Sequence, residues 1–485
     1  RPAATDPSSL GHLMPFSVKF EMFGGINMND APDALMLRSH MFVDGVWTHR
    51  QTQAGLIGME SPSGQNFDLE RQRLRKRKGS TSYVDFTSAG LNILLAGDVL
   101  VDGVAYRNPT TNARVEVVVS KKTIYTNQSG TFTQVNNSAG TAYTHNDQTV
   151  TKCSFTLADG HLFIGLDGNN RIQVYRNGAN LDAEMWNGNT YTEVVGGGTQ
   201  VITGTWITGA FMVESVHDRL IFNAGTNTVY FTDSQQPWDL AGGGSRPARS
   251  RVIALMGHVP QFGDDLNELL YVFTPVGAEF MTGFTASDLF KNIAGAPVPL
   301  NDRCVIQTRN WLMYLSEEGG IWAIKGDRII NVGRRLKARD GISGPLDTLA
   351  ASASSAIAFG FYSEAKQQAS WAFATGSSTA NDTTVVLDLQ YGEPFIDEPM
   401  ESYEQHVRCL IWKGINYVGT YQKLGAVIGM RSTGVLWTLE NGSSDFGSTA
   451  ISTTWYSPEI TAGAALNEKN WLIDTYQFAK SGAWN

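Results

Sequence analysis

The sequence predicts an all-β protein, a β-propeller of six or seven four-stranded blades with an additional N-terminal β-rich segment. Three observations predict it: a composition rich in glycine and tryptophan and poor in charge, an internal period of roughly fifty residues, and turn signals between short apolar runs.

The 485 residues exceed the roughly 250–300 at which a single hydrophobic core stops growing, so the chain holds either several domains or one circular array of sheets. Fifty glycines and twelve tryptophans, against sixteen prolines and 17% charged residues, suit short strands and tight turns better than long solvated helices. A formal net charge of −9 gives no overall pull toward nucleic acid or an anionic membrane. Cys153, Cys304 and Cys409 are too few and too odd in number for a disulfide framework, which points to folding in a reducing cytoplasm. No apolar run approaches the roughly 18 to 20 residues of a membrane-spanning helix, and Arg1 to Leu10 lacks the apolar core of a secretion signal. Beginning at Arg1 and stopping at Asn485 beyond a strand-like stretch, Trp471 to Phe478, the sequence reads as part of a longer product.

The cysteines give the first view of the repeat. Cys153-Ser-Phe-Thr-Leu, Cys304-Val-Ile-Gln-Thr and Cys409-Leu-Ile-Trp-Lys each head an apolar run, a short turn and a second apolar run. Cys304 lies 151 residues after Cys153, and Cys409 a further 105, close to three and two copies of a propeller blade of about fifty residues. On this reading the three cysteines take equivalent, largely buried strand positions. The intervening copies are Phe211-Met-Val-Glu-Ser with Leu220-Ile-Phe-Asn, Val252-Ile-Ala-Leu-Met with Leu269-Leu-Tyr-Val-Phe, and Ala356-Ile-Ala-Phe with Trp371-Ala-Phe-Ala. Val115-Glu-Val-Val-Val would start the array. One small sheet cannot bury both faces, whereas blades packed around an axis cover one another.

This divides the chain into an N-terminal arm and platform-like segment at 1–80, the propeller at 81–460, and at 461–485 the start of a further β-rich portion or a closing strand. Residues 14–106 differ in character from the repeats. They carry the turn-rich Gly24-Gly25-Ile-Asn and the basic run Arg71, Arg73, Arg75, Lys76, Arg77 and Lys78. That run is the sharpest electrostatic feature: its functional readings are contact with DNA phosphates or with an acidic partner surface, its plainer one is the solvated face of a strand or loop, and it is expected at a protein interface or outer surface.

No local motif supports catalysis. The eight histidines are scattered, and the chain lacks a phosphate loop, a nucleophile elbow and a Cys-x-x-Cys, so no metal, nucleotide or covalent cofactor is expected. A propeller glycosidase would need two carboxylates across the axis. Asp159, Asp218, Asp233 and Glu317 are available, but each adjoins turn residues, where an aspartate commonly bonds nearby backbone. Leu166-Asp-Gly-Asn-Asn170 lacks the ligand spacing of a calcium loop and reads as a turn. Trp311, Trp322, Trp371, Trp412 and Trp437 fall on predicted strands and read as blade core.

Gly24-Gly25-Ile-Asn with Asp30-Ala-Pro, Leu74-Arg-Lys-Arg-Lys-Gly79, His217-Asp-Arg-Leu-Ile-Phe, Val229-Tyr-Phe-Thr-Asp-Ser234 and Pro237-Trp-Asp239 together resemble the propeller-bearing tail proteins of tailed bacteriophages. The nozzle (tail tubular protein B) and hub of short-tailed phages are the nearest types. Trp311 to Val332, with Tyr314-Leu-Ser, Gly320-Ile-Trp and Lys325-Gly-Asp-Arg, looks like a late blade of that group, and the resemblance covers about residues 20–440. It implies a non-enzymatic virion protein made in the host cytoplasm. The implied assembly is a homohexameric ring below a tail adaptor, in contact with fibres, spikes or needle proteins and passed transiently by viral DNA, with no membrane insertion. The alternative class is a carbohydrate-binding or glycan-cleaving propeller, which would show an acidic axial cleft rimmed by aromatics.

Overall fold

A computed structural model describes residues 64–455, apart from 259–267, 337–343, 350–355, 390–407 and several stretches of one or two residues. Gly24-Gly25-Ile-Asn, Asp30-Ala-Pro, Arg71 and the portion 461–485 lie outside the described residues. The chain is all-β and forms seven four-stranded antiparallel sheets. Their inner strands are Leu100–Arg107 (blade 1), Cys153–Ala158 (blade 2), Met212–Val216 (blade 3), Ala254–His258 (blade 4), Val305–Gln307 (blade 5), Phe359–Ser363 (blade 6) and Gly419–Lys423 (blade 7). Each inner strand touches the next, and that of blade 7 returns to that of blade 1. The sequence expectation of six or seven blades resolves to seven.

The ring is closed by a strand from the other end of the array. Blade 7 takes its outer strand from Ser80–Asp85, which pairs with Val435–Leu439 in the register Leu436↔Val84 and Leu439↔Ser80, with a bulge between Leu436 and Trp437. Closure of this kind ties residues some 350 apart in sequence into one sheet and covers the edge that Val435–Leu439 would otherwise leave open.

Strand periodicity explains the core. In His161–Leu166 the side chains of Leu162, Ile164 and Leu166 join a cluster with blade 1, whereas Phe163, on the opposite face, joins one with blade 3. Leu269–Thr274 does the same: Leu270 and Val272 face blade 3, and Leu269, Tyr271 and Phe273 face blade 5. Both faces of a blade are covered, so its middle strands read as unbroken apolar runs, not as alternating ones. The described core accordingly consists of seven interblade clusters, one at each junction. Burying one large apolar side chain there contributes about 1.5–3 kcal/mol.

Tight turns set the register of the hairpins. Asp159 (φ 47°) and Gly160 (φ 71°) link Ala158 to its partner His161, and His217 (φ 50°) and Asp218 (φ 57°) link Val216 to Arg219. Two successive positive φ values define the turn whose twist matches a β-hairpin. Gly160 also has no room for a side chain, because an added Cβ would sit 2.9 Å from both Pro109 and Val194.

Two sequence expectations are corrected here. Cys153 opens an inner strand and Cys304 ends a turn just before one, capped by Asn301, but Cys409 lies on Arg408–Lys413, the outer strand of blade 6, paired with Leu387. All three are buried and none is in a disulfide, yet they are not equivalent. The spacing misled because residues 389–407 intervene between the third and fourth strands of blade 6. Val115 likewise lies on the second strand of blade 1; the array begins earlier, with Leu100–Arg107.

Outside the ring, Gly64–Gln65 pairs with Thr454–Trp455, so the chain arrives and leaves side by side. Phe67–Glu70 and Arg73–Lys76 form a hairpin against blade 6, where Trp412 Nε1 donates to the Phe67 carbonyl at 2.7 Å.

Candidate axial binding site

The inner strands surround an axial cavity of about 340 Å³ whose wall includes residues from all seven blades. Because every blade starts at the axis and runs outward, the N-terminal ends of the inner strands lie on one rim. That rim is crossed by two ion pairs. Arg303, just before the inner strand of blade 5, places Nη2 3.2 Å from Asp102 Oδ2 in blade 1 and donates to the carbonyl of Val418, before blade 7, at 2.6 Å. Its guanidinium also lies over the Phe359 ring of blade 6. Lys152 Nζ, before blade 2, is 3.6 Å from Asp302 of the blade 5 turn. Blades 1 and 2 are each three steps from blade 5 around the ring, so both pairs span the axis and plug this mouth.

Burial raises the pKa of Asp102 and of Asp302, and the neighbouring cations, Arg303 and Lys152 respectively, work against that rise. Burial is the largest influence on the Arg303 charge and opposes it, but the Asp102 carboxylate together with Cys153, Asp302 and Cys304 outweighs it and the guanidinium pKa is raised. Glu214, on the inner strand of blade 3, is different. Burial pushes its carboxyl up to about 7, although it accepts hydrogen bonds from the backbone N–H groups of Ser215 and Gly257. No ion-pair partner for it occurs among the described residues.

These shifts set a pH dependence. The folded protein holds the Glu214 proton to about pH 7, whereas an ordinary glutamate loses it near 4.5. A raised folded pKa stabilises below the unfolded value, and that contribution is lost as pH rises through the folded one. Urea unfolding of the wild type relative to Glu214→Gln should therefore lose about 1–3 kcal/mol between pH 4.5 and 7 and be flat above, after allowance for the partial exposure of this group. A difference that grows with pH would contradict the assignment.

The sequence did not single out this group. Its signal was charge set against apolar strand: Val101-Asp102, Val213-Glu214 and Asp302-Arg303 immediately before Cys304. The residues that were singled out are dispersed. Asp159 and Asp218 occupy hairpin turns, and Asp233 accepts from Ser234 N at 2.8 Å. Glu317 lies in the turn between the second and third strands of blade 5, and Asp167 accepts from Thr151 N at 3.0 Å. None of them lines the axial cavity. Trp311, Trp371 and Trp412 are buried in the interblade core.

The basic run divides. Arg73, Arg75 and Lys76 lie on the outer strand of the docked hairpin, opposite Glu70, Asp68 and Phe67, and Lys78 is exposed. Arg77 is not at the surface, which corrects its place among the interface candidates. Its side chain is 4% exposed and forms a double hydrogen bond with Asp445, at 2.8 and 2.5 Å, while Nε donates to Asn66 Oδ1 and Nη2 to the Lys413 carbonyl. It locks the hairpin onto blade 6 and onto the Ser444–Asp445 strand.

Together the strand pairing and the ion pairs across the axis define a seven-bladed β-propeller sealed by Ser80–Asp85, the strand that precedes its first blade. No protein-family model matches the chain, and no curated protein matches it. Among solved structures it is similar to a chain from the crystal structure of BBS1N in complex with ARL6DN, at 10% identity over 76% of this chain and 99% of that one, with a TM-score of 0.41. It is also similar to a chain of the mitotic checkpoint complex, at 10% identity over 78% and 97%, with a TM-score of 0.39. A third is the extracellular domain of the putative one component system BT4673 from B. thetaiotaomicron, at 12% identity over 74% and 40%, with a TM-score of 0.42. Likenesses this loose carry no argument about function. Among the described residues no helix is long and apolar enough to cross a membrane, and no group of three acidic, histidine or cysteine side chains could hold a metal.

Proposed function

We propose that the chain is a structural ring component of a bacteriophage tail, of the nozzle or hub type, acting without catalysis in the passage of the genome. The sequence resemblance suggests the class. The observation that supports it is the side-by-side pairing of Gly64–Gln65 with Thr454–Trp455, which makes the propeller a closed unit set between two flanks that leave from one place. A module attached in this way can be carried on a ring while its own axis stays shut. The plugged mouth supports a conduit for DNA that runs between subunits instead of through a propeller. Partners in this reading are five further copies, a tail adaptor above, and fibres, spikes or needle proteins. Arg73, Arg75, Lys76 and Lys78 lie on the flank side and are assigned to contacts between proteins.

Mass measurement of the native particle tests the reading. The expected result is six times the 52.9 kDa of one chain, with a ring visible by negative stain. Replacing Arg73, Arg75 and Lys78 by Ser should weaken the ring or its docking to the adaptor and leave duplex DNA affinity small at physiological salt. A monomer that binds glycans would move the assignment to the carbohydrate-binding class, and tight DNA binding lost in the triple variant would make the basic run a nucleic-acid site.

A further inference from the structure

Among the described residues, the axial cavity holds one carboxylate without a cationic partner. Asp102 and Asp302 are neutralised across the axis by Arg303 and Lys152, whereas Glu214 has backbone donors alone among the described residues. Its surroundings are unlike those of a solvated acid. Phe155, Glu214 and Met256, from the inner strands of blades 2, 3 and 4, line the cavity on three adjacent walls. All three are half-buried, and Leu255 and Phe359 extend the apolar lining. A carboxylate flanked by an aromatic ring and a thioether offers a cation both charge and polarizable surface. The volume of about 340 Å³ is at the lower end of the roughly 300–1,000 Å³ typical of small-molecule sites.

We propose that the axial cavity is a binding site for a protonated amine on a short apolar body, with Glu214 as its counter-ion and Phe155 and Met256 as its flanking walls. An anion is disfavoured because Glu214, Asp102 and Asp302 outnumber Arg303 among the charged groups of the wall. A guanidinium shares the ammonium's charge but needs a second acceptor in its plane to use its fork of donors. The ammonium could belong to a free amine or to the lysine side chain of a neighbouring protein, and the two sources differ in size. The plugged rim leaves entrance from the opposite rim, which a free amine can use more readily than a folded chain.

Calorimetry on the full chain with benzylamine as probe tests the site, with benzyl alcohol as its uncharged counterpart and a lysine-containing tripeptide as the side-chain form. Benzylamine should bind, the alcohol should bind at least about tenfold more weakly, and Glu214→Gln should lose at least about tenfold in benzylamine affinity while keeping the wild-type circular dichroism spectrum. Capture of the ammonium by a protonated Glu214 releases a proton, so the binding heat at about pH 6.5 should depend on the buffer's ionisation enthalpy, and this dependence should vanish in Glu214→Gln. Stronger binding of the tripeptide than of benzylamine would assign the cation to a partner's lysine. Equal binding of amine and alcohol, unchanged affinity in Glu214→Gln, or no binding of either ammonium at millimolar concentration would overturn the proposal.

Discussion

Replacing Arg77 by Ala is expected to destabilise the protein by about 3–5 kcal/mol in urea unfolding. The guanidinium is buried against Asp445 and also satisfies Asn66 and the Lys413 carbonyl, so its removal strands a carboxylate that is itself only 6% exposed. Asp445→Ala should cost a similar amount by stranding the cation. The double variant Arg77→Met/Asp445→Leu should cost less than either single change, because two matched apolar groups need no counter-charge. Additive losses would show that the two side chains do not act as a pair. Hydrogen exchange should localise the damage: the amides of Asn66 and Arg77, bonded to the carbonyls of Ile411 and Asn66, should lose protection before those of the inner strands.

Phe86→Ala should be comparably severe, at about 3–5 kcal/mol. Phe86 follows the closing strand, is fully buried, and packs against Tyr125 and Phe132 of blade 1 at ring-centroid distances of 5.1 and 4.9 Å. Its backbone also joins Gly434 and Ile93, so the side chain sits where blade 7 meets blade 1. A cavity there weakens the seam specifically. The variant should expose strand edges and aggregate on heating sooner than a variant of equal stability at another blade junction, for example at Trp371. Equal aggregation in the two would indicate that the seam is no weaker than any other junction.

The repeat was legible because its cause is local. Apolar runs such as Leu269 to Phe273 must be buried on both faces, and Asp159-Gly160 must turn, whatever lies elsewhere in the chain. What was not legible depends on distant pairing. Ser80–Asp85 looks like any short strand, and nothing near it says that its partner is Val435–Leu439. Cys409 begins an apolar run like the other two cysteines, but the long connection before it moved it to the outer edge of blade 6. Arg77 shares a basic run with exposed Lys78, and only the arrival of Asp445, 368 residues later, takes it inside. The axial group was hidden for the same reason: Asp102, Glu214 and Arg303 come from three blades, and each alone is an isolated charge in a strand or turn.

The pairing of Gly64–Gln65 with Thr454–Trp455 also fixes how the molecule answers mechanical load. The strands are antiparallel and the flanks depart from the same end, so tension applied through both flanks peels this short ladder bond by bond and does not shear it. Force then reaches the Arg77–Asp445 lock next and the sealed ring last. While the clasp holds, the propeller is suspended from its flanks like a pendant, outside the line of pull.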